Sequence, residues 1–256
     1  MWQQCYCKIQ YKSIFFKRRL GDTLTYENYV SRKPKLLRDF DRSLARVRRL
    51  LLVARFGEDQ ARDLIRTSRE EYEILIPQIP YLGDKNIDLF FLFPAIRYLA
   101  IYRTLQRQGW TLEDAGELIR AISETEFKAI PRFVHRLIVY ILFSRWFIGR
   151  LKKYAAESKE RKYSGGYVLN YVEGNGQDFD FGIDWIECGF CKFLCAQNAM
   201  GLAPYVCAAD KAASEMMGWG LTRTMTLGEG REKCDFRFKK GGRTNVTLPQ
   251  SLRQYG

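Results

Sequence analysis

Histidine is nearly missing from this chain of 256 residues: there is one, His135, in an apolar stretch. A Cys-His dyad would depend wholly on a tertiary contact, and a lone histidine in such a setting reads as structural. Long clean apolar runs are missing too. The most apolar windows, 87–102 and 137–148, are interrupted by Pro94 and Arg97 and by Arg145. Both fall short of the roughly 18–20 residues that a membrane span needs, so they read as buried core helices. The start, "MWQQCYCKIQYKSIFF", lacks the pattern of a secretory signal. There is no internal repeat and no low-complexity tract. Acids are scarce early on: up to Arg55 there are 14 Lys and Arg against four Asp and Glu. That stretch carries no recognisable nucleic-acid motif and reads as a solvated helix face, so no nucleic-acid partner is expected.

What is present is a basic, apolar-rich chain, with a net charge of +13 and 46% hydrophobic residues. Such a chain is globular and favours anionic partners. It has seven cysteines. An odd number without an export signal points to free thiols in a reducing compartment, so a cytoplasmic location is expected.

Periodicity divides the chain into a helical part, 1–160, an α+β part, 161–240, and a tail, 241–256, which together make one integrated domain. After Pro34, the residues Leu37, Phe40, Leu44, Val47 and Leu51 form one apolar stripe, and Gly57 ends that helix. A second helix runs from Glu58 to Ile76. A third follows Asn86, passes a kink at Pro94 and ends at Gly109. Thr111 and Asp114 have the form of a helix start. One long helix is expected from Pro131 to Lys159. Beyond "YSGGY", Tyr167–Glu173 and Phe179–Asp184 read as strands, and Asn175-Gly176 supplies the positive φ angles of a tight hairpin. Helices over about Glu187–Ala199 and 204–217 follow. Strands at Gly220–Leu227 and Cys234–Phe238 come next. The tail, poor in apolar residues, is expected to be loosely held. The fold class is therefore α+β, a helical N-terminal half packed on a ββααββ unit with an antiparallel sheet.

"WIECGFCKFLC" (185–195) places Cys188, Cys191 and Cys195 at i, i+3 and i+7 on one helix face. Cys207, Asp210 and Ser214 repeat that spacing on the next helix. On the last strand, alternation sends Cys234, Phe236 and Phe238 to one side and Asp235 and Arg237 to the other. Zinc would want a second Cys-x-x-Cys pair, and only one exists. Redox exchange would want a thioredoxin βαβ setting, which is not there. Neither metal nor cofactor is expected. Cys195 reads as core packing. A nucleophilic thiolate needs a helix N-terminus or a cation, and Cys188 has Lys192 one turn on. The carboxylates Asp184, Glu187, Asp210 and Asp235 are the acid/base candidates.

"YVEGNGQDFDFGIDWIECGFCKF", "LAPYVCAAD" and "GLTRTMTLGEGREKCDFRF" resemble the L-2-amino-thiazoline-4-carboxylic acid hydrolase family. The resemblance is densest from 167 to 238. The positions that carry it are Cys188, Cys207, Asp210, Arg223, Thr226, Gly230, Cys234, Asp235 and Arg237. What it implies is ring-opening hydrolysis of a small cyclic amidine-like carboxylate, as the family's namesake does in a bacterial route to cysteine. It implies a nucleophile or pocket thiol among Cys188, Cys207 and Cys234, and a general acid/base in Asp210 or Asp235. Substrate contacts would come from Arg223, Thr226 and Arg237, since a guanidinium matches a carboxylate. The partner is then a small-molecule carboxylate, and self-association into a homo-oligomer is compatible with it. The end of the chain also resembles ligand-binding domains of the 4-vinyl reductase type. This keeps a second reading open, a non-catalytic small-molecule-binding protein.

Overall fold

The computed structural model describes residues 29–83, 86–248 and 252. Cys5, Cys7 and the opening segment lie outside them. The fold is α+β, with helices up to residue 158 followed by a five-stranded sheet interspersed with short helices.

Helix α1 spans Lys33–Val47 with Pro34 in its first turn, where proline's fixed φ suits the helix and its missing N–H costs nothing. It buries Leu36, Leu37, Phe40, Leu44 and Val47. The stripe then shifts by one residue. Arg48–Leu52 is π-helical, and the N–H of Val53 bonds the carbonyl of Arg48, five residues back. The extra residue in the turn brings Leu52 inward, where a continuous α-helix would have placed Leu51. The helix runs on through Val53–Phe56 to Gly57, whose φ is +80°.

Helix α2 is Glu58–Leu75 and α3 is Asp88–Arg107, with Pro94 inside it. The side-chain oxygen of Asn86 accepts from the Asp88 N–H and so opens α3. Helix α4 is Leu112–Lys128, and Thr111 accepts from the Asp114 N–H at its start. The single long helix expected from Pro131 is two helices, α5 (Arg132–Leu142) and α6 (Arg145–Ser158). Ser144 explains the break. Its backbone is extended and its hydroxyl accepts from the Phe147 N–H, the action of a helix N-cap.

Strands β1 (Val168–Glu173) and β2 (Phe181–Glu187) pair antiparallel. Their connection is not a tight two-residue turn. Gly176 takes the positive φ alone, and the Asn175 side chain accepts from the N–H groups of Gln177 and Asp178, which holds a longer loop. Helix α7 is Gly189–Ala196, so Cys188 lies before the helix rather than on it. The helix expected over 204–217 is also divided, into α8 (Ala203–Cys207) and α9 (Ala209–Met217), with Gly218 left-handed at its end.

Strands β3 (Leu221–Arg223), β4 (Cys234–Phe238) and β5 (Asn245–Val246) complete a sheet of order β1-β2-β4-β3-β5. The sheet is mixed rather than wholly antiparallel, because β5 runs parallel to β3. β5 comes from the segment expected to be loose. Val246 is buried and pairs with Arg223, which ties that part of the chain down.

The described residues form two compact units. One gathers the residues up to Ala115 with Tyr163–Gly166 and Gly189–Leu202; the other gathers Gly116–Lys162, Tyr167–Cys188 and the chain from Ala203 on. The second unit has a core of Leu151 and Ala155 from α6 against Leu169, Phe181, Ile183, Leu221, Phe238 and Val246 of the sheet. Phe181 and Phe238 stack at its centre with ring centroids 4.9 Å apart. Among the described residues no helix is long and apolar enough to cross a membrane.

Candidate active site

Arg223 sits at the end of β3 with its side chain fully buried. A buried guanidinium is tolerated only where its N–H groups and charge are answered. Its Nη1 donates to the Cys207 carbonyl at 2.7 Å and to a carboxylate oxygen of Asp210, its Nη2 reaches the Thr247 carbonyl at 3.5 Å, and its carbon lies 5.8 Å over the Phe236 ring. The Nε has no partner among the described residues.

Asp210, in the first turn of α9, is the other half of the pair. Protein surrounds it, and this burial raises its carboxyl above the usual range, with the charge and hydrogen bond of Arg223 pulling the other way. Yet 37% of its side chain remains accessible to water, against 0% for Arg223. Asp210 is thus crowded by protein but still touches solvent. A raised carboxyl that remains accessible is suited to exchanging protons with a bound molecule.

Three thiols stand around this pair. Cys207 ends α8, Cys234 begins β4, and Cys188 lies between β2 and α7. Burial pushes the Cys207 thiol well up, and the neighbouring Cys234, Asp210 and Cys188 push it further, opposed by Arg223. Cys234 is also driven up by burial and by Cys188; the Leu227 N–H, which donates to its sulfur at 3.2 Å, works against that. Both groups are therefore held as thiols, and a thiol is a weak nucleophile. A Cβ at Gly228 would lie 3.1 Å from the Cys207 sulfur and 3.2 Å from the Cβ of Ala203, so the turn at Leu227–Glu229 is pressed against them. Thr226 is buried and sets that turn: its hydroxyl accepts from the Glu229 N–H at 3.2 Å and bonds the Glu229 carboxylate.

Thus Cys188, Cys207, Asp210, Arg223 and Cys234 come together, and Thr226 shapes the adjoining turn. Asp235 and Arg237 occupy the opposite side of β4. Asp235 accepts from the Thr224 and Met225 N–H groups at 2.9 Å and from the Thr224 hydroxyl. Arg237 donates to Asp184 at 2.8 Å and lies over the Phe179 ring, its stem crossing Gly182, where a Cβ would meet it at 2.8 Å. Asp184 also accepts from Lys233 at 2.8 Å. Burial raises its carboxyl, but these two cations outweigh that and lower it. Cys191 and Cys195 belong to the other unit. Cys195 is half-buried and disulfide-bonded, so the expectations of a core position and of thiols throughout both fail there.

The chain's alternation made Cys234 and Phe236 readable as same-side residues of β4. Gly228 and the Thr247 carbonyl were not, because their roles exist only through tertiary contact. A cavity of about 460 Å³ lies in the helical unit, lined by residues including Phe56, Asp59, Asp63, Leu105 and Trp110. Its lining has two carboxylates and no cation, the wrong sign for a carboxylate ligand. Among the described residues no cluster of His, Cys, Asp or Glu is arranged to hold a metal ion.

A sequence model of the L-2-amino-thiazoline-4-carboxylic acid hydrolase family matches residues 94–238. The chain belongs to this family. Cys188, Cys207, Asp210, Arg223, Thr226 and Cys234 all lie within the matched segment. No significant match was found among curated proteins or among solved structures.

Proposed function

We propose that the chain hydrolyses a small cyclic amidine-like carboxylate, L-2-amino-thiazoline-4-carboxylate or an analogue, by opening its ring. The observation that carries this reading is Asp210: a carboxyl raised by burial, still accessible to solvent and paired with a buried arginine. The ring carbon between two nitrogens and the sulfur is electrophilic. Asp210 takes a proton from a water as its oxygen bonds that carbon, and the carbon becomes tetrahedral. Asp210 then returns the proton to the departing ring atom as its bond to that carbon breaks, leaving a carbamoyl-cysteine. The balance is one water added per ring opened, with no redox change.

The raised thiols of Cys207 and Cys234 favour water over either of them as the nucleophile. Cys188, Cys207 and Cys234 then serve as polarisable lining beside the ring sulfur. Arg223, fully buried behind Asp210, contributes positive potential to the site rather than a direct contact with the substrate carboxylate.

The test is incubation of purified protein with the aminothiazoline acid while carbamoyl-cysteine is followed. Asp210→Asn should lower kcat by about 10²–10⁴-fold, the usual worth of a positioned acid/base. Cys207→Ala and Cys234→Ala should stay within about tenfold of the parent, as lining residues do. No turnover by folded protein across pH would sink the substrate. A small molecule retained through purification, with no turnover, would assign binding instead.

A further inference from the structure

Helix α5, "RFVHRLIVYIL", is strongly one-sided: Arg132, His135 and Arg136 share one face and the rest is apolar, the pattern of a helix whose apolar side is covered. It is not enclosed. His135 alone is buried. Phe133, Leu137 and Tyr140 are 71%, 54% and 71% exposed, and Ile141 is exposed beside them. Their spacing of i, i+4, i+7 and i+8 puts them on one outward stripe. Trp146, in the first turn of α6, adds an indole that is 64% exposed.

Along the chain on either side of α5 the charges have one sign, although α9, which packs against α5, carries Asp210 and the exposed Glu215. Between Glu126 and Glu157 the sequence contains no Asp or Glu, while Arg132, Arg136, Arg145 and Arg150 are all exposed. The Arg150 guanidinium lies 5.3 Å over the Trp146 ring. An exposed apolar patch rimmed by polar groups marks an interaction surface. Its cover must be apolar inside and anionic at its rim. A second copy of this chain fails the second condition, because a two-fold contact would set these arginines against themselves. An anionic bilayer leaflet satisfies both.

We propose that the outward face of α5, with the start of α6, is an interfacial anchor for an anionic lipid surface. The helix lies in the plane of the headgroups. Phe133, Leu137, Tyr140 and Ile141 enter the acyl boundary, Trp146 sits at headgroup level, and the four arginines meet lipid phosphates. With 11 residues the helix lies on the membrane and does not span it.

The test is sedimentation of the full chain with vesicles of phosphatidylcholine alone and with added phosphatidylglycerol. Partition should occur onto the anionic vesicles and weaken as salt rises. Phe133→Ser with Tyr140→Ser should lower the partition coefficient by about tenfold or more, since each 1.4 kcal/mol of lost burial is a factor of ten. Trp146→Phe should remove the quenching of tryptophan emission by brominated lipid while leaving sedimentation largely intact. The circular dichroism spectrum and melting temperature of each variant check folding. No sedimentation by the parent protein at low salt would overturn the proposal. So would binding that survives the serine pair, or a solution dimer that the serine pair dissociates.

Discussion

Asp210 and Arg223 form an ion pair of unequal depth, one partner fully buried and the other reaching solvent. Removing Arg223 empties a site shaped for a guanidinium and leaves a crowded carboxylate without its cation. Arg223→Met should cost on the order of 3 kcal/mol in urea unfolding. The two raised thiols give a second expectation. With few thiolates present, Cys207 and Cys234 should alkylate with iodoacetamide far more slowly in the native protein than in the denatured one, about tenfold for each unit of elevation. Rapid native labelling of either, read by mass spectrometry, would contradict the burial assigned to it. At this scale the sequence was a good guide where side chains alternate on β4, and a poor one where a residue's role comes from a partner far along the chain. Asp235 shows the difference. Its residue type suited chemistry, but its three hydrogen bonds to Thr224 and Met225 anchor the chain after β3.

Helices and strands obeyed their periodicity and departed from it where a polar side chain or backbone detail intervened. Ser144 divided what the apolar pattern read as one helix, since its hydroxyl satisfies a backbone N–H that would otherwise be orphaned. Ser144→Ala should lower stability by about 1 kcal/mol, measured by thermal melting. Strand β5 was invisible to a reading by composition, because two residues, one of them exposed, are too short a signal. The Leu227–Glu229 turn makes a sharper prediction. Gly228→Ala places a methyl 3.1 Å from the Cys207 sulfur, so hydrolysis should slow while the circular dichroism spectrum is kept.

For the whole molecule, pH links the site to stability. A thiol whose folded pKa exceeds its unfolded one contributes stability that is full below the ordinary thiol value of 9.0 and is lost as pH rises towards the folded value. The protein should therefore weaken above about pH 9, and Cys207→Ala should flatten that decline in chemical unfolding. On the acid side, a raised Asp210 moves the loss of base function upward. The acid limb of kcat/KM should lie above the ordinary carboxylate value of 3.8. The α+β class was legible because 3.6-residue and two-residue periods occupy different stretches of the chain. Which segments join which compact unit was not, because long-range contacts decide it.

The π-helical stretch in α1 carries a consequence for length change. Taking one residue out of a helix ordinarily rotates everything beyond it by about 100° and turns buried side chains outward. At Arg48–Leu52 the helix already holds one residue in surplus. Deleting Leu50, which is exposed, would leave Val47 and Leu52 four positions apart and restore an unbroken α-helix with the same side chains inward. This is a place where the chain can be shortened without shifting its frame, and a one-residue deletion there should melt close to the parent while the same deletion in α2 should not.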